Sequence, residues 1–545
     1  MKMKLLALLS IFSLSVFGQE KPNIVWITCE DISPDLPMYG DHTAKTPNLD
    51  TLAKESLIFD NAFATVGVCA PNRSAIITGM QPISIGTMHM RTGKDVAGWG
   101  SREYEKTDRV DIEGQPIQEY SAVIPEEVKC FTEYLRAEGY YCTNSPKTDY
   151  QFAAPISSWD ENGNKAHWKG REKGQPFFSV FNINDTHESM LWKNEALPLT
   201  VDPKTVTVPP YLPDNEDTRK TIARHYSNIE IMDKKVGELI DELKSEGLYE
   251  NTILFFYSDH GGPLPREKRA IYDSGLKTPL MIKGIGQTGR TDRLVSHIDL
   301  APTMLSIIGI EPPVYMDGKA FAGTFEAEPR DYILGTSDRF DEVTDRMRAI
   351  RTKDYLYIFN FYPEKPRYKD ISYRKQIPMM PKMLEMETKG QLDSIQNIWF
   401  STKGNEEFYD VNKDPYNINN LSNDVSMASA LQNHRSILKK HLFNHKDLGQ
   451  IPENRLITLM WPHFNQPETA KPSIKITENN FVKIDCPTPG ASIVYMLSDT
   501  KNQDLSHEGK WKLYTRPLPK GSYKYILTRA ERIGFKVSEP VIFQF

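Results

Sequence analysis

The residues best equipped for chemistry stand together at Cys69-Ala70-Pro71-Asn72-Arg73. An apolar, helix-compatible stretch from Ser74 to Thr78 follows, with Pro71 suited to a first turn and Gly79 to a helix end. Cys69 is therefore expected at a helix N-terminus, where unpaired backbone N–H groups and the positive end of the dipole favour a bound anion. Arg73, one turn on, adds a fixed positive charge. Taken alone, Cys69 reads more simply as a small buried side chain before a helix. A second reactive candidate is His187, in Asn182-Ile183-Asn184-Asp185-Thr186-His187 after the apolar run Phe177 to Ile183. At the carboxyl end of a strand it could move a proton near neutral pH; by itself it could equally be an exposed loop residue.

These groups need a scaffold. Asn23 to Thr28 is continuously apolar and β-branched, the pattern of a strand buried on both faces, and Thr46 to Ser56 carries Leu49, Leu52 and Ala53 at helical spacing. Apolar runs recur at Phe177 to Ile183, Thr252 to Tyr257 and Pro279 to Ile282. Between them Ile222, Ile229, Met232, Val236, Leu239, Ile240 and Leu243 share one helix face, stopped by Gly247. This alternation predicts an α/β fold with a mostly parallel central sheet flanked by helices, and ligands at the carboxyl ends of its strands. The pattern changes near residue 340. Met347 to Asn360 reads as a strand pair and Phe408 to Leu421 as turn-rich, which gives a smaller α+β subdomain. From about 470, strands at Ser473 to Ile476, Ile493 to Leu497, Tyr523 to Ala530 and Val541 to Phe545 predict an appended β-sandwich. The expected division is 1–19, 20–340, 341–465 and 470–545.

Residues 1–19 read as an export signal: Lys2 and Lys4, the apolar run Leu5 to Phe17, then Val16-Phe17-Gly18-Gln19 for cleavage. That run is shorter than the roughly 20 residues that span a bilayer, and no lipid-accepting cysteine follows it. The expectation is a periplasmic or secreted protein without a membrane span. Losing Lys2 and Lys4 takes the formal charge from -6 to -8, which excludes a polyanionic nucleic acid as partner. The 5 cysteines, Cys29, Cys69, Cys130, Cys142 and Cys486, leave at least one outside any disulfide framework.

Cys-x-Pro-x-Arg matches the signature of the formylglycine-dependent sulfatases, within the alkaline-phosphatase-like superfamily. The resemblance runs from about residue 22 to 420, through Thr46-Pro47-Asn48-Leu49-Asp50, Ile77-Thr78-Gly79, Ser258-Asp259-His260-Gly261, Ser296-His297-Ile298-Asp299-Leu300-Ala301-Pro302-Thr303 and Phe408-Tyr409-Asp410 to Asn420-Leu421. It implies that Cys69 is oxidised to formylglycine by a maturation enzyme. It also implies a metal site of Glu30, Asp31, Asp259 and His260 with modified residue 69. Crowded carboxylates need a cation, and oxygen-rich ligation suits calcium first and magnesium second. Arg73, Lys147 and Lys268 would hold sulfate oxygens. The hydrate of residue 69 would attack sulfur, with His187 giving a proton to the leaving alcohol.

Two positions depart from the family pattern. Glu30 replaces an aspartate, adding a methylene to the ligand's reach, which calcium's flexible shell tolerates. In Asn144-Ser145-Pro146-Lys147-Thr148-Asp149, Lys147 keeps its place while Asp149 stands where a histidine is expected, leaving Asp149 or His89 as candidates to accept the hydrate's proton. His89 and Arg91 are candidates for contact with a sugar ring or uronate carboxylate. The expected substrate is a sulfated polysaccharide or its oligosaccharides, algal (ulvan, carrageenan) or glycosaminoglycan. The alternatives are a phosphodiesterase or phosphonate hydrolase of the same superfamily, and a non-catalytic glycan-binding relative.

Overall fold

A computed structural model of the chain describes residues 21–93, 104–501 and 511–545; the expected export signal lies outside them. Among the described residues, the main sheet contains β1 (Asn23–Cys29), β2 (Ser56–Phe63), β3 (Tyr141–Ser145), β4 (Glu161–Asn162), β5 (Phe177–Ile183), β6 (Thr252–Ser258), β7 (Lys277–Thr278), β8 (Leu280–Lys283) and β9 (Gly289–Ser296). Their order is β9-β2-β8-β6-β1-β5-β3-β4, with β7 beside β2. β1 runs parallel to β5 and β6, whereas β8 is antiparallel to both β2 and β6.

The continuous apolar character of β1 follows from burial on both faces. Ile24 and Trp26 pack with Phe178, Phe255 and Tyr257 beneath helices α2 (Cys69–Thr78), α3 (Phe131–Ala137) and α5 (Leu300–Ile307). Val25 and Ile27 face the opposite layer, built by α1 (Pro47–Lys54) and α4 (Glu216–Ser245). Each such side chain taken from water stabilises the fold by about 1.5–3 kcal/mol. The buried Asp233 of α4 accepts hydrogen bonds from the Leu49 and Asn48 N–H groups at 2.9 and 3.3 Å, tying α4 to the first turn of α1.

A second, antiparallel sheet joins β10 (Ile333–Ser337), β11 (Met347–Arg351), β12 (Tyr355–Asn360) and β13 (Glu406–Asp410) in sequence order. One face packs Leu334, Ile350 and Phe408 against Leu431 and Leu438; the other packs Met347, Leu356 and Ile358 against Phe63, Ile271 and Leu276 of the main unit. After residue 470 two further antiparallel sheets enclose Val482, Ile484, Tyr495 and Ile526. The outer face of the larger one covers Ile156 with Val494, Trp511 and Leu527. No helix among the described residues is long and apolar enough to cross a membrane.

Candidate functional site

The site forms where β1, β5 and β6 end. Past Cys29 come Glu30 and Asp31, past Ser258 come Asp259 and His260, and the two strand ends are joined by Asp259 N donating to Cys29 O at 3.0 Å and Ile32 N to Ser258 Oγ at 2.9 Å. The loop after β5 closes a third side: Thr186 Oγ1 donates to Glu30 O at 2.5 Å and Glu188 N to Asp31 Oδ2 at 2.7 Å. α2 begins at Cys69 and ends on Gly79, whose φ of 69° suits glycine. Its first turn points into the same cleft, and its bounds agree with the placement of Pro71 in the first turn and Gly79 at the end.

Cys69 Sγ lies 3.3 Å from His260 Nε2 and 3.8 Å from Glu30 Oε2. Ligand atoms of Asp31, Cys69, Asp259 and His260 all fall within 4.8 Å of one another, and so do those of Glu30, Asp31, Cys69 and His187. The two sets overlap at Asp31 and Cys69, so every metal candidate named from the sequence converges on one pocket. Glu30, Asp31, Asp259 and His260 are each 0 % exposed.

This donor set fits a hard divalent cation. Asp31 Oδ1 is buried and accepts no hydrogen bond although it lies 3.1 Å from His260 Nε2. Burial works against a charged imidazole, yet the Asp259 and Asp31 carboxylates hold the His260 pKa well above its ordinary value. A proton on His260 thus carries positive charge that a cation among these carboxylates would supply. Three carboxylates supply hard oxygen donors, while the His260 imidazole and the Cys69 thiol are softer ones.

Three cations compensate the carboxylates. Arg73 donates through Nη2 to Glu30 Oε1, through Nε to Asp259 Oδ2 at 3.1 Å, and through Nη1 to Asn182 Oδ1 at 2.7 Å. Lys147 Nζ lies 2.7 Å from Glu30 Oε2, and Lys268 Nζ lies 2.6 Å from Asp31 Oδ2. Burial opposes the charge on Lys268, but Asp31 keeps its pKa well above the usual value. His187 Nδ1 accepts from Ser189 N at 3.2 Å, which leaves the proton of the neutral ring on Nε2. Burial and then Lys268 push the His187 pKa well below its ordinary value.

The substrate candidates divide. Arg91 donates from Nη1 to Asp149 Oδ1 at 2.9 Å, and its side chain keeps 35 % of its surface exposed. His89 is buried among other partners: Nδ1 accepts from Arg339 N at 3.3 Å and lies 3.8 Å from Glu453 Oε2. Sequence reasoning missed several supports. Asn72 accepts from Thr65 N at 2.9 Å and donates to Asp259 O at 2.5 Å and to His297 Nδ1 at 2.8 Å, fixing α2 to the metal-candidate loop. Glu188 receives Arg269 and stands 3.5 Å from Lys268. Asn72 lies inside the Cys-x-Pro-x-Arg motif, so its position was a signal; Glu188 and Arg269 carried none. Among the described residues all five cysteines are free.

A family model described as "Sulfatase" matches residues 22–149 and 158–310, and one described as "N-sulphoglucosamine sulphohydrolase, C-terminal" matches residues 266–397. An ulvan-active sulfatase of Formosa agariphila is 40% identical over 96% of this chain and 91% of its own length. The human N-sulphoglucosamine sulphohydrolase is 24% identical over 77% of this chain and 89% of its own. The fold is also that of the phosphonate monoester hydrolase of Agrobacterium radiobacter, with a TM-score of 0.56 at 15% identity, covering 86% of this chain and all (100%) of that one.

Proposed function

The chain belongs to the sulfatase family, a family of sulfuric ester hydrolases, and from that premise we propose that it hydrolyses sulfate esters of a sulfated polysaccharide, ulvan foremost, using Cys69 matured to formylglycine and one calcium ion. The observation that carries this reading is the convergence of Cys69 Sγ, at the start of α2, with the Asp31, Asp259 and His260 ligand atoms within 4.8 Å. The choice of ulvan is supported by the Formosa agariphila relative, which is similar over nearly the whole chain.

Calcium, when bound, would polarise a sulfate oxygen and lower the charge of the carboxylate cluster. The aldehyde hydrate at residue 69 would provide the nucleophile that a thiol cannot. The remaining work falls to this chain's own side chains. Arg73 is fixed by three partners, so it meets the sulfuryl group in one orientation without reorganising. Lys147, paired with Glu30, and Lys268, paired with Asp31, complete the cationic surround that lets a nucleophile approach an anionic ester. His187 presents Nε2–H for the leaving oxygen. Its pKa is held down by burial and Lys268, and an anionic ester beside it would offset Lys268 and favour the protonated donor form. Asp149, with both oxygens turned to cations, is poorly suited to accept a proton. Export to the periplasm or medium, and maturation by a formylglycine-generating enzyme, complete the reading.

The test is sulfate release from ulvan oligosaccharides by chain co-expressed with a formylglycine-generating enzyme, beside Cys69→Ala. Release that Cys69→Ala abolishes supports the proposal; equal release by both preparations contradicts it.

A further inference from the structure

Asp149 stands where a histidine was expected, and the structure gives it a different task from proton transfer. Its Oδ1 accepts from Arg91 Nη1 at 2.9 Å, and its Oδ2 lies 3.3 Å from Lys147 Nζ. The side chain is 0 % exposed, and the backbone sits in the left-handed region at φ 51°, two residues past Lys147. Lys147 continues to Glu30 Oε2 at 2.7 Å. A line of alternating charge therefore runs from Glu30 at the centre through Lys147 and Asp149 to Arg91 at the rim.

A histidine could not make this link. A neutral imidazole has one acceptor nitrogen, whereas a carboxylate has two oxygens and can serve two cations at once. Among the described residues Arg91 spends one of its five donors on Asp149, and the Asp341 carboxylate acts on its charge without taking a hydrogen bond from it, so the rest of the fork can still donate. The peptide behind it is held too, since the Arg91 carbonyl accepts from Arg109 Nη1. A half-exposed arginine, held at its root and free at its edge, suits bidentate recognition of a carboxylate.

We propose that Asp149 is a positioning residue that fixes Lys147 and Arg91 as one cationic arm, so that the site selects sulfated sugars bearing a second anion, a uronate carboxylate, next to the ester. This rests on the sulfatase reading above and deepens it by naming the substrate class. Arg91 binds the carboxylate and Lys147 the sulfate, and Asp149 sets the spacing between them without touching substrate.

The experiment compares the calcium-loaded, matured enzyme with its D149N and R91M variants on two probes: a sulfated oligosaccharide containing uronate, and the same oligosaccharide with its carboxyls reduced to alcohols. Wild type is expected to favour the intact probe. D149N should raise KM for the intact probe about ten-fold more than for the reduced one, the effect of a lost charged hydrogen bond, while the pH limbs of kcat stay where they were. R91M, at the rim, should lower kcat/KM on the intact probe about ten-fold more than on the reduced one, and it decides the matter if D149N does not fold. Loss of a pH limb with collapse of kcat in D149N would make Asp149 a proton acceptor and overturn the inference. Equal losses on both probes, or a wild type that treats them alike, would overturn it as well. If wild type releases sulfate from neither probe, the sulfatase reading falls and takes the inference with it.

Discussion

Lys268 Nζ and Asp31 Oδ2 stand 2.6 Å apart with side chains 1 % and 0 % exposed, so a sulfate-binding candidate and a metal-binding candidate share one buried ion pair. Removing one partner of such a pair leaves an uncompensated charge, a cost of about 3–5 kcal/mol. Lys268→Met should therefore unfold at lower temperature than wild type, and calcium should recover part of the loss by taking over the charge of Asp31. Its sulfate release should fall by about 10²–10³, the effect of deleting one transition-state donor. Unchanged sulfate release by Lys268→Met would remove this lysine from the mechanism.

Chelation should act on stability as well as on turnover. The Asp31, Asp259 and His260 ligand atoms lie in a buried pocket that a bound ion would brace. Calcium at 100 times its Kd should add about 2.7 kcal/mol, and magnesium at that same concentration less, because it demands near-ideal octahedral geometry and so binds more weakly. Unfolding temperature and sulfate release, measured after chelator dialysis and again after each ion is restored, check this. A chelator without effect on either would argue against a metal at these residues.

Glu30 joins Arg73 to Lys147, so its charge should matter more than its length. Glu30→Gln is expected to cut kcat/KM by about 10² or more, in the range of a lost electrostatic contact at a reacting centre. Glu30→Asp should keep most activity once calcium is saturating, since calcium's shell adapts to a shorter ligand. Michaelis–Menten kinetics of the two variants at saturating calcium provide the check; the reverse ranking would contradict it.

His297 supplies a pH signature. Burial, and then the charge of His260, lower its pKa from 6.5 to about 3. The folded protein therefore binds this proton only near pH 3, whereas the unfolded chain binds it below about 6.5. Between those values the unfolded state holds more protons, so stability is complete above pH 6.5 and falls as the pH is lowered, by about 1.4 kcal/mol per unit. His297→Gln should flatten that slope in urea unfolding between pH 4.5 and 7, and an identical slope in both proteins would show that His297 does not titrate this way.

The legible parts of this molecule were those with local repeats. The strand Phe177–Ile183 follows from its continuous apolar run and the α4 face Ile222, Ile229, Met232, Val236 and Ile240 from its helical spacing, and α2 ends on Gly79 as its residue types require. The reversal of β8 left no local trace, because an apolar strand buried on both faces looks the same in either direction. Lys512–Leu513 and Leu518–Pro519 are too short for any period. In the site, acids, bases and the cysteine announced themselves by type. The tasks of Asn72, Glu188 and Asp149 arise from contacts between segments 58 to 225 residues apart, which no local pattern encodes.

The most direct test of the account is the mass of the peptide containing residue 69, taken from the same preparation that is assayed for sulfate release. The account predicts a formylglycine mass in active protein, with release rising in proportion to the modified fraction. Full sulfate release from protein whose residue 69 is an unmodified cysteine would contradict it.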